Sequence, residues 1–349
     1  MIFLGALVGT RRLQAVQSKT TKAATACLAL SMVALMPAPA IADSPHGDGV
    51  IAYSVKTGIY AVHADGSGLR LLVPWQPSTC GQGCVVWKVP RNPRYSPDGQ
   101  QLTYDMETYV VHHGMGSGAQ PNTRTVYVAD ADGRHRRRLG LGHDPEFSPD
   151  GKEVIYLVNP NAYPTTSILE EPPEFGEDDG PMEAVNIETA ARHRLPVPGA
   201  PEFSRDGKKM LIYRQVRFKG AITWGSMVEN VDGSEPQVFV LPAFYDEHPR
   251  FTASGELSYD CPSVDGRQPD MCLFNPLTGR HSRLLHIHEF WALEAASSPT
   301  GSSFAISGLQ GLYVTGADGH HPRRIVANGS GPDYVQSDVP TSPVWQPNP

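Results

Sequence analysis

The chain has 349 residues, with 29 Lys and Arg against 36 Asp and Glu, 34 Gly, 32 Pro and 5 Cys. Only 19% of residues are charged and no long 3.6-residue apolar period follows residue 45, which excludes a helical bundle and favours one large all-β domain. The acidic balance argues against nucleic acid as a partner.

Residues 1–42 differ in character from the rest. Arg11, Arg12, Lys19 and Lys22 precede an apolar run from Ala23 to Met36, and Ala40-Ile41-Ala42 ends in a small-x-small pattern before Asp43. This is the layout of a secretory signal peptide removed after Ala42. The competing reading is an uncleaved anchor, against which the short run and Pro37 and Pro39 both weigh. Arg11-Arg12 lies too far from the run for a twin-arginine signal, and Cys27 lacks the residues a lipoprotein needs ahead of it. Cleavage leaves 25 basic and 36 acidic residues, no expected transmembrane span, and four cysteines, an even number suited to an oxidising compartment.

The exported part opens on short apolar segments, Ile51-Ala52-Tyr53 and Ile59-Tyr60-Ala61-Val62, with an Asp65-Gly66 turn behind them. A motif then returns about every 50 residues. Its clearest copies are Pro93-Arg94-Tyr95-Ser96-Pro97-Asp98-Gly99 and Pro145-Glu146-Phe147-Ser148-Pro149-Asp150-Gly151. Weaker copies begin at Pro201 and Pro249, another reads Ser298-Pro299-Thr300-Gly301, and the chain stops inside a sixth at Pro343-Val344-Trp345. A fixed period of this size indicates a propeller or solenoid. Pro presets φ, Asp bonds its own backbone and Gly accepts positive φ, so each copy is a hairpin corner. Short strands follow, such as Leu102-Thr103-Tyr104 and Val154-Ile155-Tyr156; uneven spacing predicts bulges in the third and fourth copies. Further Asp-Gly or Thr-Gly turns predict a third strand, and a fourth carries Arg before Leu or Ile, protecting an exposed edge.

Four antiparallel strands in each of six units predict a six-bladed β-propeller spanning residues 43–349. The first unit lacks its innermost strand, and Pro343-Val344-Trp345 is expected to supply it and close the ring. The Ser-Pro-Asp-Gly corners, the strands after them and the Asp-Gly turns resemble the Pro-Asp class of WD-like repeats in TolB-type propellers, across residues 50–347. TolB carries an additional α/β domain ahead of its propeller, for which no room is expected here, so the resemblance implies the fold rather than TolB's role in the Tol-Pal system.

Cys80 and Cys84 frame a Gly-rich loop, and Cys261 and Cys272 flank the hairpin between second and third strands of one unit. Of three possible connectivities, Cys80–Cys84 with Cys261–Cys272 is the expected one. A thiol metal site would need a Cys-x-x-Cys spacing that the chain does not have.

In a propeller, the segments ahead of each innermost strand gather at the channel mouth. Here they read Arg91-Asn92, His143-Asp144, Gly199-Ala200, Asp246-Glu247-His248 and, further upstream, His286-Ile287-His288-Glu289. His143, Asp144, Glu247, His248 and His288 are therefore candidate binding residues, with His143, His248 and His288 as candidate ligands of a divalent metal or calcium. Such a ring loosely resembles metal-bearing propeller lyases acting on pectic fragments; the competing reading is that these groups cap strand ends. No Gly-x-Ser-x-Gly elbow occurs, so a prolyl-oligopeptidase-like activity is not expected in its usual form, and no catalytic residue is assigned. Asp130-x-Asp132-Gly133 resembles the start of a calcium loop but lacks its closing Glu, and reads as a turn.

Two insertions lengthen the units, at about 106–124 with Tyr109 and His112, and at about 159–181 with five prolines and a run of acids. Long loops on a rigid ring vary binding. Together these features suggest a monomeric, exported bacterial platform for a protein or peptide, without a cofactor. The alternative is a metal-dependent polysaccharide lyase or hydrolase built on the channel-mouth histidines.

Overall fold

The computed structural model describes residues 49–81, 84–112, 121, 123–158, 181–195, 201–242, 249–263, 269–285, 292–328 and 339–347. These form strands and turns in six sheets, each a propeller blade. Blade 1 contains β1 (Val50–Val55), β2 (Gly58–His63) and β3 (Arg70–Pro74). Blade 2 contains β4 (Gln76–Thr79), β5 (Cys84–Tyr95), β6 (Gln101–His112), β7 (Thr123–Asp130) and β8 (Arg137–Leu141). Blade 3 contains β9 (His143–Phe147), β10 (Glu153–Leu157), β11 (Met182–Asn186) and β12 (Arg192–Leu195). Blade 4 contains β13 (Pro201–Phe203), β14 (Lys209–Phe218), β15 (Ala221–Asn230) and β16 (Gln237–Phe239). Blade 5 contains β17 (Arg250–Phe251), β18 (Leu257–Pro262), β19 (Pro269–Asn275) and β20 (Arg280–Leu285). Blade 6 contains β21 (Ala292–Ser297), β22 (Ser303–Gly308), β23 (Gly311–Gly316) and β24 (Arg323–Ala327). The last strand, β25 (Thr341–Trp345), returns to blade 1 and pairs antiparallel with β1, Ile51 facing Trp345.

Each repeat motif builds its corner the same way. The hydroxyl of Ser96 donates to Asp98 Oδ1 at 2.5 Å, that of Ser148 to Asp150 at 2.7 Å, and that of Ser204 to Asp206 at 2.8 Å. The same hydroxyl accepts the backbone N–H five residues on, at 2.9 Å in all three copies. Glycine ends the turn at φ of 67–72°, the left-handed region where a side chain is strained. These bonds hold the Asp carboxyls below their ordinary range. In blade 5, Thr252 pairs with Glu256, one residue earlier than Ser96 with Gln101. The spacing difference is thus absorbed in the turn. Among the described residues, β13–β14 and β17–β18 pair without the register shift expected in the third and fourth motif copies.

The apolar core is divided among the blade interfaces. Val50, Ala52 and Ile59 of blade 1 pack on Leu102, Tyr104 and Met106 of blade 2. Val126 and Leu139 meet Phe147 and Tyr156 across blades 2 and 3, and Phe203 of blade 4 rests on Leu157 and Met182 of blade 3. Leu211 and Val228 meet Leu257 and Phe274, and Met271 and Leu284 meet Phe304 and Ile306. At the final interface Trp345, Ile51 and Val62 pack on Ala296, Ala305 and Leu312, while Trp345 Nε1 donates to the Ala296 carbonyl at 2.9 Å.

Blade 2 departs from the four-stranded pattern. β5 and β6 continue beyond the blade, Cys84 facing His112, and β4 pairs along the free edge of this extension. Residues 106–112 of the first insertion are therefore strand rather than loop. Both expected disulfides form: Cys80–Cys84 closes the β4–β5 hairpin and Cys261–Cys272 links β18 to β19, with Cα separations of 5.2 and 5.8 Å.

Two stability predictions follow from these contacts. Trp345→Ala removes a 4% exposed aromatic from the closing interface and costs about 3–5 kcal/mol; deletion of residues 341–349 costs more and lowers the melting temperature of the whole domain. Ser148→Ala opens one corner and costs about 1 kcal/mol, measured by urea denaturation. A deletion variant that melted like the parent would disprove the role given to β25.

Candidate functional site

Antiparallel order places the start of every innermost strand and every turn between second and third strands on one face of the ring. The motif corners lie on the other. On the first face, the innermost strands of blades 1, 2 and 3 share a local structure. Ser342, Asn92 and Asp144 each precede a proline and adopt φ of 49–50°. Residues before proline ordinarily take extended backbone, and left-handed geometry at such positions costs about 1–3 kcal/mol each. A register shift accompanies each one, between Ala52 and Ser54, Arg91 and Arg94, and Ile155 and Leu157. The kink swings the three polar side chains into reach of one another.

Their hydrogen bonds cross three blades. Ser342 Oγ donates to Asn92 Oδ1 at 3.0 Å, and Asn92 Nδ2 donates to Asp144 Oδ1 at 2.7 Å and Asp105 Oδ1 at 2.9 Å. Asp144 Oδ2 meets His143 Nδ1 at 2.8 Å. His143 is buried, and burial lowers its pKa, but the bond to Asp144 and that carboxylate's charge outweigh this and raise it. Asp105 is fully buried, and its Oδ2 has no hydrogen-bond partner among the described residues. Burial, then the nearby Asp144 and Glu107 charges, push its pKa up to about 7.

Around this relay lies an ionic layer. Glu107 takes Arg91 at 3.4 Å and Arg124 at 3.3 Å, and accepts the Tyr109 hydroxyl at 2.7 Å. Two residues below the kinks, Arg94 Nε meets Glu146 Oε2 at 3.1 Å, and Glu202 Oε1 accepts the Phe251 N–H at 2.6 Å. Burial raises the Glu146 pKa to about 7 against the pull of Arg94. The two side chains keep 18% and 17% exposure, so water still reaches the pair.

Of the sequence candidates, His143 and Asp144 come together in this relay and Tyr109 joins the Glu107 cluster. His112 ends β6 opposite Cys84. Glu247, His248 and His288 lie outside the described residues, as does the second insertion apart from Pro181. With His143 Nδ1 engaged by Asp144, no group of three His, Cys, Asp or Glu side chains suited to a metal occurs among the described residues. Sequence reasoning missed Asp105, Glu107 and Ser342, and put Asn92 at the channel mouth without making it a candidate. The Asn-Pro, Asp-Pro and Ser-Pro pairs opening the innermost strands are the signal that points to the three kinks.

The raised carboxyls set a pH dependence. Asp105 and Glu146 hold protons more tightly folded than unfolded, so their contribution is complete below their unfolded values and is lost as pH rises through about 7. The melting temperature should rise from pH 8 to pH 5.5, and Asp105→Asn should flatten that slope. An unchanged slope in the variant would remove Asp105 from this account.

No family model and no curated protein matches the chain. Among solved structures it is similar to TolB from Acinetobacter baumannii, with 14% identity, a TM-score of 0.55, and coverage of 86% of this chain and 67% of that one. It is also similar to a chain of a nidogen/laminin complex, with 9% identity, a TM-score of 0.52, and coverage of 85% and 98%. At these identities the likeness is one of fold, and the chain is a six-bladed propeller whose fold is similar to those structures.

Proposed function

We propose that the chain is exported, loses residues 1–42, and binds a protein or peptide partner on the strand-entry face of its ring, in the periplasm, cell envelope or extracellular space. One observation carries this reading. The β5–β6 extension with β4, the longer β14–β15 hairpin and both disulfides all stand on that face. About seven residues of β5 rise past Arg91, a projection on the order of 20 Å.

A covalently clasped projection is costly to order and contributes little to the blade core, which suits a surface kept rigid for recognition. The polar relay at its foot offers donors and acceptors in fixed positions. A propeller of similar fold occurs in a nidogen/laminin complex, a precedent for this architecture within a protein assembly. Two disulfides accord with an oxidising compartment.

Two measurements test the reading. Amino-terminal sequencing of the protein from its native host should begin at Asp43. A photo-crosslinking residue replacing Lys88, exposed on the extension, should capture a partner that the same residue replacing Lys152, on a motif corner, does not. Equal capture at both positions, or at neither, would refute a partner site on this face.

A further inference from the structure

The opposite side of the ring has a different character. The turn from β7 into β8 and the start of β8 read Arg134-His135-Arg136-Arg137-Arg138, five basic residues in a chain of net charge −7. Arg134 and His135 fold back on Asp132 and Asp130, at 3.4 and 2.6 Å. The next three meet no carboxylate among the described residues. Arg136 donates from Nε to the Gly133 carbonyl at 2.8 Å and from Nη2 to the Leu72 carbonyl of blade 1 at 3.2 Å. Arg137 donates to the Ile187 carbonyl of blade 3, and Arg138 is exposed. A carbonyl orients a guanidinium without cancelling its charge, so Arg136 and Arg137 are held in place and left uncompensated.

The bond from Arg136 also ties this patch to exposed apolar surface. Leu72 is buried in the core between blades 1 and 2, but Leu69 and Leu71, either side of Arg70, are 56% and 46% exposed. Gly133 stands so close to this strand that a Cβ there would meet the Leu72 carbonyl oxygen at 2.2 Å. Extended spacing puts both leucines within about 10 Å of the carbonyl that anchors Arg136.

We propose that this rim of blades 1 and 2 docks on an anionic lipid surface. Leu69 and Leu71 enter the headgroup layer, while Arg70, Arg136, Arg137 and Arg138 face lipid phosphates. A soluble polyanion would use the arginines alone. Exposed leucines flanked by uncompensated cations match a layer that is anionic at its surface and apolar beneath. The rim lies on the side away from the β5–β6 extension and does not rest on the partner proposed there.

Co-sedimentation of the full chain with phosphatidylglycerol-containing vesicles and with pure phosphatidylcholine vesicles tests this. Binding is expected on the first and not the second. Arg138→Ala should weaken it about 5-fold, and Leu69→Ser should weaken it on the same vesicles, with both variants melting like the parent. Equal binding to neutral vesicles, or variants indistinguishable from the parent, would overturn the proposal. So would binding to soluble polyglutamate, unchanged by Leu69→Ser, in the absence of vesicle binding.

Discussion

A four-stranded sheet with two apolar faces cannot hide either of them alone. Here every blade depends on the next, because the core consists of clusters that each bridge two blades rather than one core per blade. Such an arrangement is favourable only when no face is left over, and that condition is met by closing the ring. β25 completes both blade 1 and its interface with blade 6, since Trp345 packs against Ala296, Ala305 and Leu312 while its strand pairs with β1. The whole ring is therefore conditional on a segment of five residues.

With the apolar faces committed to neighbouring blades, the axis is left to polar groups. The innermost strands answer this with kinks that turn Ser342, Asn92 and Asp144 toward one another, and with the Arg94–Glu146 pair below. Charges held this way are largely neutralised within the ring. Three arginines on or beside outer strands are instead held by main-chain carbonyls of adjacent blades, Arg136 by Leu72, Arg137 by Ile187 and Arg323 by Ala64 and Asp65. They act as staples between blades and still present their charge to solvent.

The repeat, the blade count, the closing strand and both disulfides could be read from the sequence because they depend on local chemistry. A Ser-Pro-Asp-Gly corner is determined by residues within five positions of one another, and its period counts the blades. The relay is not local: Asn92 meets Asp105, Asp144 and Ser342 at sequence separations of 13, 52 and 250. No window along the chain contains that information. β4 escaped notice for a related reason, since Gln76–Thr79 has a proline and no apolar alternation, and becomes a strand only because the long β5 offers it an edge. The uneven spacing has another origin than bulges: a shorter turn at Thr252 absorbs it in the fourth copy, and in the third Phe203 faces Met210 at the same separation as Tyr95 and Leu102.

Splitting blade 1 between the two ends of the chain also has a kinetic meaning. Ile51 emerges early in synthesis and waits for Trp345, so its strand has an unpaired inner edge until β25 has arrived. Contacts of such high sequence separation form slowly. Until they do, the nascent molecule is an open arc with apolar blade faces at both ends, the state in which chains of this kind are most exposed to aggregation. The closing strand thus acts as a checkpoint, separating an open arc from a molecule that can become a finished ring.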